Sequence, residues 1–208
     1  MTIREFVDEL SADSPAPGGG SVAALAGCLS ASLSAMVGTL TWPKQEYKEH
    51  RQEMMKLPVA AQKLKDFFLL AIDRDTEAFN KLMACFGMPK ETKEEMKARS
   101  KSIGEATRGA IDVPMEVLHG TLEALELAKA VAERGNRNSI SDAGVAALMA
   151  KACADGAYYN IKINLGAVSD KDYVSRTLAK ADEIRADAHR RADEIADIIN
   201  SVLDGKLK

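Results

Sequence analysis

The sequence predicts an all-α protein. Apolar residues recur at helical spacing through most of the 208-residue chain, no segment alternates apolar and polar side chains as a strand would, and no Rossmann-type glycine fingerprint occurs. A chain of this length fits one domain and can bury a substantial core. The expected architecture is a single-domain bundle over residues 1–208, made of long helices, some kinked at proline, with a glycine-rich loop ahead of a central helix of small residues.

Ile3, Phe6, Val7 and Leu10 give a short amphipathic helix over residues 2–10, expected to pack beside the loop that follows. That loop, Ser14-Pro15-Ala16-Pro17-Gly18-Gly19-Gly20-Ser21, is the most informative stretch of the chain. Two prolines hold its start extended, and three consecutive glycines leave backbone amides uncovered. A helix starting at Gly20 or Ser21 turns those amides toward an anion, a carboxylate or a developing oxyanion, whereas a plain helix cap needs only one glycine. In the next helix Leu25, Leu29, Leu33, Met36 and Leu40 line one face, and Ala23, Gly27, Ala31 and Ala35 another. Two buried faces mark a central helix. Small residues at every fourth position admit a close neighbour from the same chain or from a second subunit, and a homodimer is the expectation.

Residues 22–41 have roughly the length of one bilayer span. Five Ser or Thr residues dilute the large aliphatics, and Glu5, Asp8, Glu9 and Asp13 precede the segment where a signal peptide would carry basic residues. A buried helix of a cytoplasmic protein with no membrane partner fits better.

Trp42-Pro43 ends this helix, and a charged helix follows over residues 44–86 with a break or restart at Pro58. Asp75 falls on or beside the stripe formed by Leu64, Phe68, Ala71, Ile72, Phe79 and Leu82. Burial of a carboxylate raises its pKa, a property of catalytic and ligand-binding acids; an Asp at the edge of the stripe, or paired with a cation, escapes this. Gly87-Met88-Pro89 is a loop, and residues 90–101 begin a solvated helix that continues to about Arg134 with a kink at Pro114, where proline frees backbone carbonyls. Residues 135–142 break the pattern, and Ser139 with Asp142 has the spacing of a capping pair. On the helix over residues 142–165, Asn160 and Asn164 share a face, where paired amides either read a heterocycle or satisfy buried backbone. Over residues 171–203, Val174, Leu178, Ala181, Ile184, Ala188, Ile195, Ile199 and Val202 form the inner side of an outer helix with mixed charge opposite.

Lys and Arg total 28 against 31 Asp and Glu, and the net charge of -3 gives no global attraction to nucleic acid. Cys28, Cys85 and Cys153, like His50, His119 and His189, are scattered without ligand spacing, which implies reduced thiols and no metal.

The loop Ser14 to Ser21, Leu40-Thr41 with Lys44 and Tyr47, Asp75-Thr76-Glu77-Ala78-Phe79, Val113-Pro114, Gly135-Asn136 with Asn138 and Asp142, and Asn160 with Asn164-Leu165 together resemble the cyclodeaminase/cyclohydrolase family of folate enzymes in order and spacing over nearly the whole chain. The resemblance implies an all-helical homodimer acting on the carbon that bridges N5 and N10 of tetrahydrofolate. The folate derivative is a substrate; no prosthetic group is implied. The site would be a cleft near the glycine loop, shared between subunits. Lys44, Asp75 and Asp142 become the candidate catalytic residues. Pro17, Gly18, Gly19, Gly20, Ser21, Tyr47, Asn136, Asn138, Asn160 and Asn164 become the candidate substrate-binding residues. One departure is Trp42-Pro43-Lys44-Gln45-Glu46, where relatives are expected to carry several lysines, so Lys44 alone must supply the charge.

Because no formiminotransferase domain accompanies these motifs, the resemblance favours a cyclohydrolase, converting 5,10-methenyltetrahydrofolate to 10-formyltetrahydrofolate. The alternative is a 5-formiminotetrahydrofolate cyclodeaminase served by a separate formiminotransferase. A non-catalytic helical adaptor would account for the small-residue face but not for the triple glycine or the clustered Asn residues. A membrane-anchored protein would account for residues 22–41 alone.

Overall fold

The structure, a computed structural model, describes residues 1–206. Among them are six α-helices and no strand: α1 (Ile3–Leu10), α2 (Gly19–Thr41), α3 (Arg51–Phe86), α4 (Lys93–Arg134), α5 (Ile140–Leu165) and α6 (Lys171–Lys206). Short 3-10 turns at Gln45–His50 and Arg137–Ser139 lead into α3 and α5. The predicted all-α bundle is what forms.

Helix α2 lies at the centre, packed by α3, α4 and α5. Its small residues make this possible. A methyl group on Gly27 would come within 2.6 Å of the fully buried Phe68 ring on α3. On the α5 side Gly156 packs against the Ala23 side chain and Asn160 approaches Gly19, so α2 and α5 run antiparallel in close contact. Helix α6 covers α4 and α5 as an outer layer, burying Ala181, Ile184, Ala188, Ile195 and Ile199. Ion pairs Lys129–Glu194 and Lys151–Asp193 pin its rim.

Helix α1 opens with a capping box between Thr2 and Glu5 and buries only Phe6. It lies over Leu25, Leu69 and Ile72 on α2 and α3.

Three expectations change. The large aliphatic face of α2 is only partly covered within the chain: Leu25 and Leu33 are half-buried, but Leu29, Met36 and Leu40, with Val22 beside them, are each 38–47% exposed, while the buried face carries Ala24, Cys28, Ala31, Ala35 and Val37. The adjacent face of α5 continues this apolar surface with Val145, Leu148 and Ile163. Pro58 neither breaks nor restarts a helix; α3 begins at Arg51 and runs through it, and the proline ring packs where Gly38 of α2 leaves room. Ser139 makes no side-chain cap to α5. Instead Asn136 caps the 3-10 turn, its side-chain oxygen accepting the Asn138 N–H at 3.1 Å.

One helix among the described residues, α2, is long and apolar enough to cross a membrane. Its small-residue face is instead enclosed by three helices of the chain.

Candidate active site

The glycine loop, α3 and α5 meet at a cleft of about 260 Å³, lined by Gly18, Gly19, Gly20, Asp75, Asn160 and Asn164 on its polar side. Phe79, Leu82 and Ile163 form its apolar wall. The loop reaches it through a cis Ala16–Pro17 peptide, with the Ser14 hydroxyl donating to the Ala16 carbonyl at 2.7 Å. Helix α2 starts one residue before the earliest expected position, with Gly18 as its N-cap and no side chain capping it. The N–H groups of Gly19 and Gly20 lie in the first turn, have no acceptor within the helix, and open on the cleft.

Asp75 crosses from α3 to this helix start. The Ser21 hydroxyl donates to its Oδ2 at 3.0 Å, and the Ser21 N–H adds a second bond. Ser21 is fully buried, so its side chain orients Asp75 rather than touching a ligand. Burial pushes the Asp75 carboxyl above its ordinary value, and the Ser21 bonds only partly offset this. The acid is thus held ready to take or give a proton nearer neutral pH than a free aspartate.

Gly20 has to be glycine because the Asp75 carboxylate rests against its Cα, where a methyl group would overlap both carboxylate oxygens and their carbon. We expect Gly20→Ala to displace Asp75 and lower turnover by about 100-fold or more. Steady-state kinetics beside circular dichroism checks this; a folded variant with undiminished turnover would contradict the contact.

Both predicted asparagines line the cleft, and both also satisfy backbone. Asn160 Nδ2 donates to the Gly156 carbonyl at 2.8 Å, and Asn164 Nδ2 to the Ala110 carbonyl of α4 at 2.7 Å. Their amides therefore bond the backbone with the nitrogen and face the cleft as well.

Pro17, in the cis peptide of the loop, adjoins the cleft without lining it. The other predicted residues lie elsewhere. Lys44, Tyr47, Asn136, Asn138 and Asp142 gather at the other end of α2, about 33 Å from Gly19 by the helical rise over 22 residues. There the buried Thr41 hydroxyl donates to the Val37 carbonyl and accepts the Asn136 N–H at 2.8 Å, and the Tyr47 hydroxyl accepts the Arg137 N–H at 2.9 Å. Lys44 pairs at 3.8 Å with Glu46. Half-buried Asp142 is in the first turn of α5. One chain thus keeps the predicted residues in two separate groups, with the Asp75 carboxyl beside the start of α2 and Lys44 beyond its end. The sequence places Thr41 in a motif and marks Pro114 as freeing a carbonyl, but it shows neither that Thr41 ties the second cluster to α2 nor that Asn164 takes up the Ala110 carbonyl.

Comparison with known proteins meets this geometry. The formiminotransferase-cyclodeaminase family model matches residues 2–183. The methenyltetrahydrofolate cyclohydrolase of Methylorubrum extorquens is 36% identical over 200 residues, covering 96% of both chains. The formimidoyltransferase-cyclodeaminase of Rattus norvegicus is 30% identical over 191 residues, 92% of this chain but 35% of the rat enzyme, so this chain spans about a third of that longer relative. The crystal structure of formiminotetrahydrofolate cyclodeaminase from Thermotoga maritima superposes with a TM-score of 0.83 at 25% identity, over 100% of this chain and 98% of that one. The family match spans the glycine loop, Asp75 and both asparagines alike, and the chain belongs to the formiminotransferase-cyclodeaminase family.

Proposed function

We propose that this chain is a methenyltetrahydrofolate cyclohydrolase, adding water to 5,10-methenyltetrahydrofolate to give 10-formyltetrahydrofolate. The observation that carries the reading is the end-to-end match to a cyclohydrolase of nearly the same length, with 96% of each chain aligned.

The cleft supplies the groups this chemistry needs. Water attacks the electron-poor carbon between N5 and N10 while Asp75 takes a proton from it. The Gly19 and Gly20 N–H groups donate to the oxygen that gathers charge on the tetrahedral carbon. The C–N5 bond then breaks, N5 receives a proton from Asp75, the hydroxyl proton leaves as the formyl carbonyl forms, and one proton is released overall. Cyclodeamination uses the same carbon with N10 as nucleophile and ammonia as leaving group. The likeness to the Thermotoga maritima cyclodeaminase keeps it as the second reading, with a separate formiminotransferase as its supplier.

The complete site is a property of a homodimer. A cleft of about 260 Å³ is below the roughly 300–1,000 Å³ that encloses a drug-sized ligand, so it takes the pterin head and leaves the rest of the folate outside. Val22, Leu29 and Met36 recur every seven residues along the exposed face of α2, the spacing of a helix-pairing seam. A two-fold axis across the middle of α2 pairs this seam antiparallel with its copy. It brings Lys44, Tyr47, Asn138 and Asp142 of one chain beside the Asp75 cleft of the other. Lys44 then serves as the cation near the reacting bridge or the folate glutamate, with Asp142 as the second carboxylate. The enzyme works in the cytoplasm.

A paired assay tests the activity. Decay of the methenyltetrahydrofolate chromophore well above the spontaneous rate, without ammonia release from 5-formiminotetrahydrofolate, is the expected result. Ammonia release with slow decay would make the chain a cyclodeaminase, and silence in both assays would make it a non-catalytic binding module.

A further inference from the structure

Pro114 is in the interior of α4 and has no N–H, so the Ala110 carbonyl, four residues earlier, lacks its usual donor within the helix. The Asn164 amide of α5 fills that gap at 2.7 Å. A carbonyl at this distance accepts only from nitrogen, and this fixes which way round the Asn164 amide lies. The Gly156 carbonyl does the same for Asn160, at 2.8 Å. Both side chains line the cleft, each with its nitrogen held back on the protein and its oxygen on the opposite arm of the amide.

We infer that the two amide oxygens form an acceptor pair that reads the exocyclic 2-amino group of the pteridine, and that Pro114 is a positioning residue whose missing N–H orients Asn164 for this. The inference rests on the folate reading above. Residues four apart on a helix have Cβ atoms about 5–6 Å apart. An amino group whose two N–H bonds diverge by about 120° places two acceptors at about 2.9 Å each, hence about 5 Å from one another. Side chains rooted one turn apart on one face of α5 are within reach of a single amino group between them. The flat Phe79 ring and the Leu82 and Ile163 side chains give the ring system its apolar bed. A 2-substituent without hydrogens to donate leaves both oxygens unpaired inside the cleft, and selectivity follows from that loss.

The test compares kcat/KM for 5,10-methenyltetrahydrofolate and its 2-desamino-2-methyl analogue, which keeps the size of the substituent and loses the donors. The natural substrate should be preferred by about 10–100-fold. In Pro114→Ala the restored backbone N–H at position 114 competes with the Asn164 amide for the Ala110 carbonyl, loosens its hold on Asn164, and should cut the preference to a few-fold with the melting temperature held. Asn164→Ala should lose the preference in the same way and decides the question should Pro114→Ala fail to fold. A merely structural role for Pro114 and Asn164 would lower turnover of both substrates together, which overturns the inference. Wild-type selectivity in the folded variants, or no preference in the wild-type chain, overturns this inference alone. No turnover of either substrate by the wild-type chain overturns the folate reading and this inference with it.

Discussion

Asp75→Asn is expected to lower kcat for methenyltetrahydrofolate hydrolysis by about 10²–10⁴-fold while leaving the fold intact and, at neutral pH, more stable than the wild type. The two effects have one cause. Asp75 is packed against Gly20, bonded to Ser21, and pushed by burial above the ordinary carboxylate value of 3.8. Between 3.8 and the raised value the folded chain binds more protons than the unfolded chain, so stability falls as pH rises through that window. The charged acid is thus a standing cost at neutral pH that the amide removes. Thermal melts should show the gap between variant and wild type widening from acid to neutral pH. The acid limb of the wild-type pH–rate profile should lie above 3.8 and vanish from the residual rate of the variant. A variant that turns over normally, or loses stability at neutral pH, would remove Asp75 from its role.

Introducing charge on the uncovered face of α2, as in Leu29→Glu with Met36→Glu, is the second large effect. Both side chains are exposed in the single chain, 43% and 39%, so neither change disturbs the core directly. Across a two-fold helix seam they would place like charges opposite one another in an apolar interface, which is expected to abolish dimers at micromolar concentration. On the proposed pairing, loss of the partner removes Lys44 and Asp142 from the Asp75 cleft, and activity should fall by about 100-fold or more. Light scattering and the chromophore assay on the same preparation check both statements. A monomer with full activity would show that one chain suffices.

Much of this is legible in the residues, and the parts that are not have definite physical reasons. Period-3.6 patterning locates the long helices, and Asp75 on an apolar stripe identifies the half-buried acid of the cleft, since both signals are local. The aliphatic face of α2 reads as buried in the sequence, yet within the chain much of it is exposed; a pattern reports that a face is apolar, not which molecule covers it. Pro58 reads as a break, although its ring packs over Gly38. The lost hydrogen bond is a local property of proline, but the packing that tolerates it is tertiary. The capping pair of Ser139 with Asp142 does not form, and the side chain that caps between α4 and α5 is Asn136, at the 3-10 turn.

The division of the candidate site is the least legible feature. Motifs on either side of α2 look like parts of one constellation when only their order is known. A helix of 23 residues nevertheless holds Gly19 and Thr41 far apart however the rest of the chain folds. The bond from Asn164 to Ala110 is likewise invisible in the sequence, because it joins a gap left by proline in one helix to an amide on another.

Subunit complementation tests the shared site most directly. Asp75→Asn and Lys44→Met are each expected to be inactive as homodimers. After subunit exchange, about half of the dimers carry one variant of each kind, and each of these holds one intact site. Methenyltetrahydrofolate hydrolysis should then return to about one quarter of the wild-type rate. Verified exchange with no recovery of activity would contradict a site built from two chains.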